Sequence, residues 1–169
     1  MVFIDEAGAK TNMIRMYGRA MKGKRVYDYA PHAHWSATTM ISSIRYNGET
    51  ACMVVESSTT SRVFRAYVEH VLVPALKNGD TVILDNLSSH KDEDSIAIIE
   101  KTGAQVRFLP PYSPDMNPIE KMWSKLKQIL RGAKARSREA LLDSISFALS
   151  CVTKSDSIGW FGSCGYTLT

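Results

Sequence analysis

Hydrophobic positions in the first half of the chain predict strands and one helix. Residues 2–5 form a short apolar run that ends on an acid, as in a buried central strand. Residues 38–46 and 50–56 are two further strand-like runs, and Asn47-Gly48 between them is a strong hairpin signal. Residues 61–76 then carry apolar side chains at helical spacing, with Thr60 or Ser61 as the expected cap.

The second half begins with another strand. Residues 81–85 are an apolar run that closes on an acid, which predicts a buried parallel strand. Ser88 or Ser89 is expected to cap a helix that ends near residue 103, and residues 105–109 are the predicted last strand. The acids at 92–94 would lie in the first turn of that helix, where the helix dipole favours negative charge.

Two helices are predicted after the last strand. Asn117 is the expected cap of the first, and Pro118 occupies its first position, where a missing amide does no harm. Its apolar stripe continues to Leu130 and is expected to end at Gly132. A last helix is predicted from about residue 137 to 152, followed by a tail rich in glycine and aromatic residues.

The order of these elements resembles a ribonuclease-H-like α/β fold. The expected sheet is mixed and five-stranded, with three antiparallel strands followed by two parallel strands and with helices on its faces. A length of 169 residues fits one domain spanning 1–169. Residues 6–35 show no clear period and contain several glycines, so they are expected to form a long basic loop with a functional role.

Composition changes this picture little. The apolar fraction of 44% and the charged fraction of 22% are ordinary for a soluble domain. There is no apolar run of membrane-spanning length and no export signal, so the cytoplasm is the expected compartment. Three widely spaced cysteines without metal-binding spacing are expected to be reduced, and a zinc site is not expected.

Charge is unevenly distributed along the chain. The net charge is +4, and two blocks, residues 10–25 and 121–138, contain lysine and arginine but no acid. Residues 49–100 between them hold nine acids. Two basic blocks around an acidic centre suit a polyanion lying across a carboxylate site, although a solvated surface is the simpler explanation for any single charge. The candidate DNA or phosphate contacts in the blocks are Arg15, Arg19, Lys24, Arg25, Lys127 and Arg131.

Three carboxylates are the candidate catalytic groups. Asp5 and Asp85 close two predicted strands, and open α/β sheets place their sites at such strand ends. If the two strands are neighbours, the acids lie close together, which is unfavourable without a cation, and oxygen ligands suit Mg²⁺ or Mn²⁺. A turn or cap role is the alternative for either residue alone. Glu120 is the third candidate, because a proline-stiffened loop delivers it onto a helix start.

Glu120 has alternatives of its own. As the third helical residue after Asn117 it could fold back in a capping box, but it also lies in line with Ser124, Lys127 and Arg131. Asp115, in the preceding loop, is its main rival. Glu6 points to the opposite strand face from Asp5 and cannot share the site without a bulge.

Histidines and aromatic residues are weaker candidates. His90 follows Asp85 by five residues and could contact a phosphate or orient the attacking group, or be a surface residue of a capped helix. The segment 32–34, with a histidine at each end, alternates like a strand and is expected to be structural. Trp123 and Tyr112 are expected to pack in the core and the loop, although Tyr112 could instead stack on a base.

Three motifs resemble the catalytic core of the DDE transposases. They are Phe3-Ile4-Asp5-Glu6, then Ile83-Leu84-Asp85-Asn86 with His90, and then the run Leu109-Pro110-Pro111-Tyr112-Ser113-Pro114-Asp115-Met116-Asn117-Pro118-Ile119-Glu120 with Trp123. The resemblance is to the mariner superfamily, most closely its bacterial insertion-sequence-630-like branch, and covers essentially the whole chain. Between Asp85 and Glu120 lie 34 residues, the spacing typical of that branch.

The resemblance implies a function. Asp5, Asp85 and Glu120 would hold two Mg²⁺ or Mn²⁺ ions on a ribonuclease-H-like fold, for phosphodiester hydrolysis and strand transfer at insertion-sequence ends. The implied partners are double-stranded DNA, at the transposon ends and the target, and a second copy in a homodimer. The implied location is the nucleoid of a bacterial cytosol.

The chain departs from the family at its start. Full-length members carry helix-turn-helix domains before the core, whereas the predicted catalytic strand here begins at residue 2. A separate helix-turn-helix subunit is therefore expected to supply sequence recognition. The alternatives are a catalytically inactive DNA-binding remnant or recruited host factor, and a general ribonuclease-H-like nuclease, which the proline motif argues against.

Overall fold

Five strands form one mixed sheet in the computed structural model, which describes residues 1–32 and 35–167. Their order across the sheet is β3-β2-β1-β4-β5. β2 pairs antiparallel with β1 and with β3, whereas β4 runs parallel to its neighbours β1 and β5. This arrangement confirms the predicted ribonuclease-H-like fold. The strands are β1 (Val2–Lys10), β2 (Ala37–Arg45), β3 (Thr50–Val55), β4 (Thr81–Leu84) and β5 (Gln105–Phe108).

Helices cover both faces of the sheet. They are α1 (Ser61–Tyr67), α2 (Glu93–Glu100), α3 (Pro118–Ala133), α4 (Arg138–Ser150) and α5 (Lys154–Ser163). The single helix predicted for residues 61–76 changes pitch, because α1 continues as a π-helical turn, Val68–Leu72, and a 3-10 turn, Val73–Ala75. Pro74 cannot donate the backbone bond of a regular helix, so the chain leaves α-helical geometry around it. No described helix is long and apolar enough to cross a membrane.

The core has two halves, one on each face of the sheet. Phe3 of β1 belongs to the half beneath α3, α4 and α5, whereas Ile4 belongs to the half beneath α1 and α2. Successive side chains of a strand point to opposite faces, so β1 must be apolar on both. This double burial is why the strand appears in the sequence as a continuous apolar run.

β1 is longer than the sequence pattern predicts. It was expected to end at Asp5, but it continues to Lys10, because Ala7 and Ala9 are buried and β2 pairs along its whole length. β4 pairs only with the first residues of β1. Asp5 is therefore interior to the antiparallel ladder but lies just beyond the parallel one, and the long loop begins at Thr11 rather than at residue 6.

Two helix boundaries also differ from the prediction. Asp92, not Ser88 or Ser89, caps α2 by accepting the Ser95 amide at 3.0 Å. Serines 88 and 89 lie instead in the 3-10 turn Ser88–Lys91. α3 passes through Gly132 and ends where Lys134 adopts a φ of 51°.

α5 lies where the sequence predicted an irregular tail. Thr153 and Asp156 form a capping box that starts this helix, and Phe161 buries one side of it. Its glycines, at 159 and 162, weaken the helical signal in the sequence.

The described parts of the long loop, residues 11–32 and 35–36, lie mostly on the surface, and the loop is fastened at the end of α3. Lys134 Nζ contacts both carboxylate oxygens of Asp28 at 2.6 Å, and Arg136 Nη1 donates to the carbonyl of Thr11 at 2.9 Å. The amide of Thr11 donates to the carbonyl of Ser36 at 3.1 Å, which closes the base of the loop. Ala33 and His34 lie outside the described residues, so the interpretation of the segment 32–34 stays a prediction.

Candidate active site

Strand pairing brings Asp5 and Asp85 to the same level. In the parallel ladder Val2 lies opposite Val82 and Phe3 opposite Ile83. Two residues further along both chains, the same register sets Asp5 beside Asp85. Because neighbouring strands lie about 4.8 Å apart, the two acids share one edge of the sheet, where β4 has just ended.

Asp5 is a buried carboxyl group that accepts a hydrogen bond from an indole. Its Oδ2 accepts a hydrogen bond from Trp123 Nε1 at 3.2 Å, and only 7% of the residue is exposed. Burial raises the pKa of Asp5 to about 7; the Glu6 amide opposes this rise, and the negative charges of Glu120, Glu6 and Asp85 add to it. A nearby cation would restore its ionised form at neutral pH.

Asp85 is more exposed and more heavily hydrogen-bonded. Its Oδ1 accepts from the amide of Leu87 at 2.9 Å and contacts His90 Nδ1 at 2.6 Å. Burial alone would raise the pKa of Asp85, but these bonds and the charges of His90 and Lys91 outweigh it and hold that pKa below its usual value. Within the described part of the chain, Oδ2 of Asp85 makes no hydrogen bond.

His90 is buried, so it is not the phosphate contact that the sequence suggested, nor a surface residue. Its exposed fraction is 0%, its Nε2 lies 3.0 Å from Glu6 Oε1, and its ring packs on Phe64 with centroids 4.5 Å apart. Burial lowers the pKa of His90, but the bonds to Asp85 and Glu6 outweigh burial and raise it above its usual value. Both ring nitrogens are occupied by carboxylates, so neither can reach a phosphate.

Glu120 faces the cleft from the first turn of α3. The cleft has a volume of about 520 Å³ and is lined by Asp85, Lys91, Asn117, Glu120 and the proline loop, residues 109–114. The capping box is not observed: within the described chain the Glu120 carboxylate accepts no hydrogen bond, and the Asn117 amide donates to the carbonyl of Pro114. Asp115, the rival acid, does not line the cleft.

The proline loop is held on both sides. The Leu109 amide donates to the carbonyl of Leu84 at 2.8 Å, and Asn86 Nδ2 donates to the carbonyl of Leu109 at 2.5 Å. At the far end, the hydroxyl of Tyr166 donates to the carbonyl of Met116 at 3.0 Å. The end of β4 and the C-terminal tail together therefore set where α3 begins, and with it the position of Glu120.

Sequence reasoning missed several residues around the site. Lys91 lines the cleft beside Asp85, and Trp123 was expected only as a packing residue, although its indole N–H serves Asp5. Asn86 braces the proline loop, and Glu6 was set aside because it points away from Asp5. Asn86 and Lys91 lie within six residues of Asp85 and could have been found from the sequence, whereas the contacts of Trp123 and Glu6 join distant segments.

The candidate basic contacts lie along and beyond α3. Arg15 and Arg131 line a second groove of about 1130 Å³ between the long loop, α3 and α4. Ser124 lines this groove too, and it lies one helical turn after Glu120, so the two grooves follow each other along α3. Lys127 is half-buried on the same helix, whereas the other three candidates, Arg19, Lys24 and Arg25, are exposed on the loop.

The three candidate carboxylates fit a divalent cation by their chemistry, although Asp5 is buried and only Asp85 and Glu120 line the cleft. Asp5, Asp85 and Glu120 offer only oxygen, the donor that Mg²⁺ and Mn²⁺ prefer, and Asp85 Oδ2 has no competing hydrogen bond in the described chain. Among residues 1–32 and 35–167, no three His, Cys, Asp or Glu side chains are close enough to enclose one ion.

Comparison with known proteins gives one family and one fold. A model described as DDE superfamily endonuclease matches residues 1–142, and no protein with a curated description matches the chain. The structure titled "Mos1 transposase paired-end complex with left transposon end" has a TM-score of 0.75 and 15% identity, over 95% of this chain and 51% of that one. The Mos1 strand transfer complex has a TM-score of 0.68 and 16% identity, over 99% of this chain and 55% of that one.

A viral integrase has the same fold at a lower similarity. The catalytic core domain of BIV integrase has a TM-score of 0.52 and 16% identity, over 66% of this chain and 72% of that one. Sequence identities this low show only that the folds are similar. The chain spans about half the length of the Mos1 chains that it matches.

Proposed function

Because the chain belongs to the DDE superfamily endonucleases, we propose that it is a transposase catalytic domain that cuts and joins DNA at insertion-sequence ends. One observation carries the proposal. The parallel pairing of β1 with β4 sets Asp5 level with Asp85, and Glu120 faces the cleft that Asp85 lines. Acids from two strands have no packing reason to lie side by side, next to a cleft that a third acid also lines.

Asp5, Asp85 and Glu120 would hold two Mg²⁺ or Mn²⁺ ions. Bound there, the ions would supply activation of a water or a DNA 3′-hydroxyl and stabilisation of the leaving oxygen. Trp123 orients Asp5 through its indole N–H. Lys91, which also lines the cleft, would place a positive charge where a phosphate would enter.

Double-stranded DNA would run from the cleft along α3. Arg15 and Arg131 would contact its phosphates in the second groove, with Lys127 beside them and Arg19, Lys24 and Arg25 on the loop. The domain 1–169 would provide the chemistry, and a helix-turn-helix region or subunit outside these residues would read the transposon ends. The motif and the spacing from Asp85 to Glu120 support an insertion-sequence-630-like member in a bacterial cytosol.

Nicking of supercoiled plasmid DNA tests this function. The parent chain is expected to nick DNA with Mg²⁺ or Mn²⁺, and Asp85→Asn and Glu120→Gln are expected to lose at least about a hundredfold in rate. Asp115→Asn is the matched control, because Asp115 is an exposed acid close to Glu120 in sequence that does not line the cleft.

Two results would contradict the proposal. Equal nicking by the parent and Asp85→Asn would remove the catalytic assignment and leave a DNA-binding role for the same fold. Loss of nicking in Asp115→Asn but not in Glu120→Gln would show that Asp115, not Glu120, is the third catalytic carboxylate.

A further inference from the structure

Asp85 presents one oxygen to the cleft and keeps the other engaged. The Leu87 amide and His90 Nδ1 both meet Oδ1, at 2.9 and 2.6 Å. About a third of the Asp85 side chain is exposed, and the residue lines the cleft. The engaged oxygen faces the protein, and Oδ2 is left for whatever enters the cleft.

His90 is itself held in place. Its ring is fully buried, packs on Phe64 of α1, and has its second nitrogen 3.0 Å from Glu6 Oε1. Glu6 lies in the middle of β1, opposite Ile41 in the antiparallel ladder. A chain of contacts therefore leads from the central strand through His90 to Asp85, on the opposite face of β1 from Asp5.

Packing does not explain this chain of contacts. Buried charged groups seldom stabilise a fold as well as apolar groups of the same size. Glu6 Oε2 is buried and has no hydrogen-bond partner among the described residues, which is unfavourable in itself. The burial of Glu6 and His90 is therefore unfavourable for stability, and it is more simply explained by the effect of the two residues on Asp85.

We propose that Glu6 and His90 are positioning residues that fix the Asp85 carboxylate, so that it binds the cation through Oδ2 alone. The inference rests on the proposed function. A carboxylate already held in one rotamer loses less conformational entropy when it binds an ion. Binding through one oxygen also suits the octahedral geometry of Mg²⁺, whereas Ca²⁺ accepts carboxylates through two oxygens. The pair would therefore raise affinity and favour Mg²⁺ and Mn²⁺ over Ca²⁺.

The test measures metal binding without DNA. Free Mn²⁺ is followed by electron paramagnetic resonance in the 169-residue chain, with Mg²⁺ and Ca²⁺ as competitors, for the parent, Glu6→Gln and His90→Phe. His90→Phe keeps a ring beside Phe64 but removes both donors, and Glu6→Gln keeps the size of the side chain. The matched controls, Glu69→Gln and His70→Phe, change an exposed neighbouring pair.

The expected result is a change in affinity and selectivity. The dissociation constant for Mn²⁺ should rise about tenfold or more in His90→Phe and severalfold in Glu6→Gln. Ca²⁺ should compete better against Mg²⁺ in both, and the controls should match the parent. In nicking assays, the Mn²⁺ concentration for half-maximal rate should rise while the saturated rate recovers, which a merely structural defect would not produce.

Opposite results overturn the inference. Unchanged Mn²⁺ affinity and Ca²⁺ competition in folded Glu6→Gln and His90→Phe would show that the pair does not position Asp85. If His90→Phe does not fold, Glu6→Gln alone decides by the same criterion. Asp85→Asn separates this failure from that of the proposed function: a parent that binds no more Mn²⁺ than Asp85→Asn contradicts the function itself.

Discussion

At the scale of residues, neighbours on β1 serve opposite faces of the sheet. Asp5 faces α3 and accepts from Trp123, whereas Glu6 faces the other half of the core and meets His90. The alternation of a strand makes this unavoidable. As a result, β1 meets Asp85 in two ways. Its register with β4 sets Asp5 beside Asp85, and its Glu6 contacts His90, which in turn contacts Asp85.

Tyr112 is the residue of the proline loop that we expect to touch DNA. It has a φ of 57°, unfavourable for a residue with a side chain, and its ring is fully exposed beside Asp85 and Glu120. Stacking on a base is worth about 1–3 kcal/mol, so Tyr112→Ala should weaken DNA binding by about fivefold or more in fluorescence anisotropy. Tyr112→Phe keeps the ring and should bind as the parent does; equal affinity of the Ala variant would exclude stacking.

At the scale of elements, an ion pair ties the end of β2 to the start of β4. Arg45 donates to both oxygens of Asp80, at 2.8 and 2.6 Å, and Asp80 also accepts the Lys77 amide at 2.7 Å. β1 lies between these two strands. The pair therefore helps to set the position of β4, whose end carries Asp85.

Asp80→Asn should lower the free energy of unfolding by about 1–3 kcal/mol, because it leaves a largely buried guanidinium with only the more distant charge of Glu49, at 3.8 Å. The hydrogen bonds from Arg45 outweigh burial and lower the pKa of Asp80 from its ordinary 3.8. A lowered folded-state pKa contributes stability above the unfolded-state pKa, and this contribution disappears as pH falls through the folded value. The gap between parent and variant should therefore be full near neutral pH and close below about pH 4.

Urea unfolding at several pH values measures this gap. Asp143→Asn, at an exposed aspartate of α4, is the control and should change stability by less than about 0.5 kcal/mol at any of them. A gap that widens in acid would mean that the Arg45 contact is not its source.

At the scale of the whole molecule, the long loop brings basic side chains to the C-terminal end of α3. Arg15, Arg19 and Arg25 belong to the loop that is fastened to the end of α3 by Lys134 and Asp28. Lys77 and Lys101, in contrast, lie where β4 and α2 turn at the far edge of the sheet from Asp85. The way the loop folds back therefore sets where these positive charges lie on the surface.

Replacing Arg15, Arg19 and Arg25 together by alanine should weaken DNA binding and make it less salt-dependent. Each lost phosphate contact lowers the slope of log affinity against log salt by about 0.9. Titrations at several salt concentrations measure the slope. The double variant Lys77→Ala and Lys101→Ala removes charge from the opposite edge and should leave the slope unchanged; an equal fall in both variants would mean a diffuse charge effect.

The sequence by itself determined the fold class and three carboxylates worth testing. Burial on both faces makes β1 and β4 apolar runs, and proline and asparagine mark the start of α3 locally. Such signals arise within a single strand or helix, so they can be recognised in the sequence without knowing the tertiary structure. The glycines of α5 and the buried alanines of β1 weakened the same signals, and those two elements were misjudged.

Only the tertiary structure decided what surrounds Asp85. His90 lies five residues from Asp85, but its second carboxylate partner, Glu6, is 84 residues away on another strand. Which face of β1 meets the turn after β4 depends on strand order and register, and local periodicity carries no information on either. The sequence could therefore single out Asp5 and Asp85, although only Asp85 follows the end of its strand, whereas the contacts that hold Asp85 appeared only once the sheet was assembled.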